Sequence, residues 1–274
     1  MKKISVCLAA AALLGCTSAS ASEQSSNSVL GQRYNFYGGA QIYQAEGKFS
    51  LTKEGQPKNS VDLDDIGLDD NLTSPVFGAL FNFGPKWTLR VDYFGYHDDA
   101  KTTADSDFDF GDVVVDAGAK LDSSLDLDVY VINLAYNLYS TERAKFGVGF
   151  GVHLADIDLE IASQATVGGV VQAEQEESIN ETAPLPNLYM AGAYAFTDRF
   201  LLRYGGGWMS LSYGDYDGDL VFANAALEYW PFQHAGIGVG YRYVEIEIDY
   251  DPGNKKEEYD VKLPGPMVYA TVGF

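Results

Sequence analysis

The last eight residues alternate between two kinds of side chain. Val268, Ala270, Val272 and Phe274 fall on one face of an extended strand, and Tyr269, Thr271 and Gly273 on the other. Successive strand side chains point to opposite faces, so a period of two with one apolar face marks a strand lying between two environments. The same period recurs from Arg33 onward. Tyr34, Phe36, Gly38, Ala40 and Ile42 interleave with Asn35, Tyr37, Gly39, Gln41 and Tyr43. Trp87, Leu89, Val91 and Tyr93 interleave with Arg90 and Asp92, and Phe146, Val148, Phe150 and Val152 with Gly147, Gly149, Gly151 and His153. Turn residues punctuate the pattern at Gly84-Pro85-Lys86, Ser140-Thr141-Glu142-Arg143, Thr197-Asp198 and Pro231 to His234.

Counting through these breaks predicts ten strands. Tight turns alternate with loops at 52–71, 98–124, 163–183, 214–219 and 251–258, the second with a hairpin extension within 108–117. Long loops at one end and short turns at the other are the signature of a membrane-spanning barrel, whose strands need about 9–11 residues to cross at a tilt. The expected fold is all-β: a transmembrane antiparallel up-and-down β-barrel of ten strands, over 33–274. Eight or twelve strands stay open, because the 98–124 segment has room for another pair. An even count places both termini at the short-turn end. Beyond the N-terminus no run of about 18 apolar residues exists, so no transmembrane helix is expected.

The acidic segment from Asp62 to Asp70, the run from Phe110-Gly111-Asp112 through Gly118 to Ser123-Ser124-Leu125-Asp126, and Ala183-Pro184-Leu185-Pro186 carry a resemblance. The chain resembles the small bacterial outer-membrane β-barrel proteins of the broad OmpA/OmpW-type group, in a branch with no known activity. The resemblance implies an integral outer-membrane protein of a Gram-negative bacterium with both termini periplasmic. It also implies surroundings of outer-membrane lipid and lipopolysaccharide, and a terminal Phe274 that serves as an assembly signal for the barrel assembly machinery.

The first residues read as a targeting signal. Lys2 and Lys3 precede an apolar run from Ile4 to Leu14, and Ala19-Ser20-Ala21 has the small-x-small form of a cleavage site. That makes 1–21 a signal peptide and 22–32 a short periplasmic lead. A rival reading is lipidation at Cys16, within Leu13-Leu14-Gly15-Cys16. Cys7 and Cys16 are the two cysteines of the chain, so cleavage after Ala21 leaves no disulfide, thiolate nucleophile or cysteine metal site.

A net charge of −21 excludes a nucleic-acid surface, which needs clustered Lys and Arg. With apolar residues facing lipid, Arg90, Asp92, Arg203, Asn224, Glu228 and Arg242 point into the lumen, where charges must pair or meet water. Two readings follow: an ion-pair network that plugs a narrow lumen, or a gated path for ions or small solutes. Asp215, Asp217, Gly218 and Asp219 resemble part of a Ca²⁺ loop but lack its distal Glu, so they stand between an ion site and a solvated acidic surface. His97, His153 and His234 complete no catalytic pair, which leaves a surface hydrolase as the remote alternative. The expected role is structural or interactive, in a largely plugged barrel with acidic surface loops and no resident cofactor. A narrow porin-like channel is the alternative.

Overall fold

The computed structural model describes residues 29–53, 60–111, 113–164, 166–167, 170–171, 175–253 and 255–274. The expected signal peptide, and the choice between cleavage and lipidation, lie outside the described residues.

Ten antiparallel strands form a continuous hydrogen-bonded ring: β1 (Tyr34–Ile42), β2 (Thr73–Phe83), β3 (Trp87–Thr103), β4 (Lys120–Ser140), β5 (Ala144–Gln164), β6 (Gln175–Ala195), β7 (Phe200–Tyr213), β8 (Tyr216–Tyr229), β9 (Ala235–Tyr250) and β10 (Gly265–Gly273). Each pairs with its neighbours in sequence. β10 returns to β1, in register from Asn35 opposite Gly273 to Gln41 opposite Met267. The seam is tight. A Cβ on Gly39 would sit 2.0 Å from the Val268 carbonyl oxygen, so only glycine permits the two backbones to approach there.

The strands are longer than the sequence pattern predicted. β3 runs on through 98–103, β4 begins at Lys120, and β6 begins at Gln175, inside segments expected to be loops. The expected 214–219 loop is a two-residue hairpin at Gly214 and Asp215, with Gly214 at φ 64° and Tyr213 opposite Tyr216. Glycine at the first loop position is what such hairpins use. The strand Glu46–Lys53 continues the path of β1 beyond a break at 43–45, and the strand Lys255–Lys262 leads into β10 across Leu263 and Pro264; these two pair with each other.

The reason for the extra length shows on β4. Its outward positions are Tyr130, Ile132, Leu134, Tyr136 and Leu138 toward the turn end, then Asp122, Ser124, Asp126 and Asp128 toward the loop end. Its inward positions change in the opposite sense, from Asn133 to Leu121, Leu125, Leu127 and Val129, all buried. Neighbouring strands switch likewise. On β5, Phe150 and Leu154 give way outside to Asp156, Asp158 and Glu160, while inside His153 gives way to Ile157, Leu159 and Ile161. The barrel is therefore two bodies on one set of strands. One is a belt with an apolar exterior and a polar interior. The other is an extension with a polar exterior and an apolar interior.

The belt on β4 covers nine residues, 130–138. At about 3.4 Å per residue and a tilt near 40–45°, that is about 22 Å of height, close to the roughly 25 Å apolar band of an outer-membrane barrel. Aromatic residues rim it: Trp87 on Tyr136 and Phe200 on Tyr229 at the turn end, and Tyr93 against Tyr130 and Phe77 at the other.

Inside the extension, Phe49, Leu51, Leu63, Ile66, Leu68, Phe110, Tyr259 and Val261 join the strand residues in one buried cluster. Leu63, Ile66 and Leu68 come from the segment between the first two barrel strands, folded inward around a short 3-10 turn at Asp64–Ile66. At the opposite end, a 3-10 turn at Val29–Gly31 lays Leu30 against Ala193, Ala195 and Leu201. Full burial of such side chains is worth about 1.5–3 kcal/mol each, so hydrophobic packing fills the extension and seats the Leu30 turn against the barrel wall.

Candidate functional site: the polar lumen of the belt

Arg90 and Asp92 stand two residues apart on β3, so both project inward. Arg90 Nε donates to Asp92 Oδ2 at 2.5 Å. Tyr37, from β1, closes this cluster. Its hydroxyl donates to Asp92 Oδ1 and accepts from Arg90 Nη2 at 3.2 Å and from Arg242 Nη2 at 3.5 Å. Arg242 enters from β9 with its guanidinium 4.7 Å from the centre of the Phe94 ring, a cation–π contact. Its Nη1 is buried and has no hydrogen-bond partner.

A second cluster gathers on Glu228 of β8, which is 2 % exposed. It accepts from Arg203 Nε at 2.8 Å, from Trp230 Nε1 at 2.9 Å and from the Tyr269 hydroxyl at 3.0 Å. A buried carboxylate is tolerable when its acceptor positions are filled in this way. Asn224 belongs to neither ion pair. It lines a gap of about 20 Å³ together with Asp92, His153 and Arg242, room for one water. His153 Nδ1 lies 3.0 Å from Asn187 Nδ2, and its ring packs 4.5 Å from that of Phe222.

The structure thus places all six inward residues expected from the sequence inside the belt, five of them in two ion-pair clusters. Sequence reasoning missed Tyr37, Trp230 and Tyr269, whose polar hydrogens complete those clusters. Their signal was available for the two tyrosines, which occupy inner positions of the alternation, where a phenol needs a partner.

The acidic residues considered for Ca²⁺ do not converge. Asp215 lies in the β7–β8 hairpin, while Asp217 and Asp219 are exposed positions of β8. The tight hairpin replaces the loop that an ion would need. Among the described residues, the carboxylates that meet are Glu245, Glu247 and Asp260, within 4.8 Å of one another. Lys262 already serves them as a cation, 3.2 Å from Glu245 and 3.8 Å from Asp260. Burial, then Asp260, Glu245 and Asp219, push the Glu247 carboxyl above its ordinary range; the hydrogen bond from Tyr243 holds that of Glu245 below.

His97 faces outward above the belt, 3.1 Å from Asp128 Oδ1, which also accepts from the Tyr93 hydroxyl at 2.6 Å. His234 is a turn residue bound to the Gly273 carbonyl oxygen at 2.7 Å, its ring stacked on that of Phe274.

No family model matches the chain, and no curated protein does. Solved structures do. The outer membrane protease OmpT from Escherichia coli is similar over 88% of this chain and 97% of its own, at 10% identity and a TM-score of 0.57. The Pseudomonas putida toluene transporter TodX covers 88% of this chain and 90% of its own, at 10% identity and a TM-score of 0.34. The outer membrane protein OprG from Pseudomonas aeruginosa covers 89% and 98%, at 11% identity and a TM-score of 0.32. The fold is that of the small bacterial outer-membrane β-barrels.

Proposed function

We propose that this chain is an integral outer-membrane barrel with a closed lumen, and that it serves as a rigid anchor holding an acidic, β-rich head clear of the bilayer. The observation that carries the reading is the reversal of polarity along single strands, from Tyr130 to Asp128 outside and from Asn133 to Leu127 inside. A path for ions or polar solutes needs a polar interior from end to end. Here the belt is crossed by ion pairs and the head is filled with aliphatic and aromatic side chains.

Charge segregation supports the orientation. Arg33, Arg90, Arg143, Arg199, Arg203 and Arg242 all lie in the belt or at the turn end. The described cations of the head are lysines, set among a large excess of Asp and Glu. We place the head outside the cell and both termini, with the assembly signal at Phe274, in the periplasm. The head's outer wall is a surface for cationic partners, or for divalent ions bridging to lipopolysaccharide. The likeness to a protease extends to the fold alone. The reading as a non-enzyme is supported by His97, whose carboxylate partner faces outward with it.

Single-channel recording with purified, refolded protein in planar bilayers tests the closed lumen. A flat trace at high salt is expected, and reproducible stepwise openings would overturn it.

A further inference from the structure

The turn-end mouth of the lumen holds a chamber of about 60 Å³ beneath the Val29–Gly31 turn. Arg90, Lys145 and Arg203 line it, and among the described residues no carboxylate does. Arg90 and Arg203 each donate to an acid outside this lining, Asp92 and Glu228. Lys145 has no such acid. Its side chain forms no ion pair or hydrogen bond among the described residues, and its charged neighbour is Arg203. Among the described residues, three cations thus line this mouth and two of them are paired with acids, within a chain whose net charge is −21.

A half-buried ammonium set beside a guanidinium, with no carboxylate of its own, favours an accompanying anion. The chamber has the room. One water needs about 10–15 Å³ measured this way, so the space fits a small polyatomic ion. It also has neutral polar groups: Thr88 and Asn137 line it beside the cations. Charge-assisted hydrogen bonds to oxyanions are among the strong ones, and guanidinium geometry suits them.

We propose that this chamber binds one small oxyanion of phosphate size, anchored by Lys145 and flanked by Arg90 and Arg203. The Leu30 turn covers the bound ion from the turn end. The inference rests on the reading above only in that the ion enters from the turn end, the head being closed. Binding itself needs no conduction.

Calorimetric titration of inorganic phosphate into the refolded full-length chain, in zwitterionic detergent, tests this. A single saturable site is expected, weakening as sodium chloride rises. Lys145→Met should weaken it at least tenfold, and Lys145→Arg should keep it within about threefold, with heat-modifiable gel mobility confirming that each variant folds. Absence of saturable binding by the unsubstituted chain would overturn the proposal whatever the variants do, as would full-strength binding by folded Lys145→Met. Chloride protecting against thermal unfolding as well as phosphate does would overturn the oxyanion assignment. Phosphate binding with stepwise conductance would sink only the closed-lumen reading, and a silent barrel that ignores phosphate only this one.

Discussion

The Tyr269 hydroxyl donates to Glu228 Oε1 at 3.0 Å, so the last strand of the barrel is bonded to the eighth across the ninth. Glu228 is also the acceptor for Arg203 and Trp230. Glu228→Ala should therefore strand a half-buried guanidinium, an indole N–H and a phenol together. The expected loss is about 3–5 kcal/mol, the usual cost of breaking a buried pair on one side. Replacing both ion-pair partners, Arg203→Met with Glu228→Leu, should cost distinctly less. Urea unfolding in lipid vesicles measures both, and equal losses would show that the pair itself contributes little.

The boundary between belt and head can be probed on one strand. Ile132 and Asp126 both face outward on β4, one within the belt and one beyond it. Ile132→Lys should destabilise by about 2–4 kcal/mol if its position lies near mid-bilayer. Asp126→Lys should stay within about 0.5 kcal/mol, as exposed surface changes do. Similar effects of the two in vesicles would refute the assigned boundary.

Acidity should stabilise the head locally through Glu247. Its folded carboxyl titrates above its ordinary value because of burial and of Asp260, Glu245 and Asp219. A raised carboxylate pKa means the folded state holds the proton more tightly than the unfolded chain does. The penalty is thus complete above the folded pKa and is relieved as pH falls toward the unfolded value, about 4.3. Glu247→Gln should raise the unfolding temperature at pH 7.5, and the gain should shrink by pH 4. The residue is exposed, so salt should also shrink it. A gain independent of pH would point to some other cause.

Leu30 is 3 % exposed, packed on Ala193, Ala195 and Leu201. Leu30→Ala should cost about 2 kcal/mol, the low end for such truncations, because the site borders solvent. The lumen should stay electrically silent, since the belt and head block it independently. Stepwise openings in this variant alone would make the Val29–Gly31 turn a gate.

At the closing seam, Gly39→Val should block pairing of β1 with β10, because the new Cβ would overlap the Val268 carbonyl. Loss of the heat-modifiable, compact form on gels is the expected readout.

Much of this architecture was legible in the residue pattern. The alternation of Val268, Ala270 and Val272 with Tyr269 and Thr271, and the spacing of the turns, gave ten strands, and the rule that charge avoids lipid put Arg90, Asp92, Arg203, Glu228 and Arg242 inside. The head was misread for a physical reason. Leu125-Asp126-Leu127-Asp128 has the same period of two as the belt, but with its polarity reversed. A search for apolar outward faces reads the acids as loop. Leu121, Leu125 and Leu127 pack inward there because water, not lipid, surrounds the wall. The Lys145 chamber was hidden for another reason. It depends on which acids fail to reach a cation, and spacing along one strand does not reveal that.

The segregation of arginines to the turn end and acids to the head bears on how the molecule enters its bilayer. With the head outside the cell, as proposed above, every aspartate and glutamate of the head would have to cross the hydrocarbon once during insertion, before the strands close and while water can travel with them. After β10 meets β1, that hydrated passage is gone. Inverting the finished barrel would drag the whole acidic wall back through oil. On that orientation insertion is a ratchet: the charge on the head would fix the direction of the barrel once it has closed.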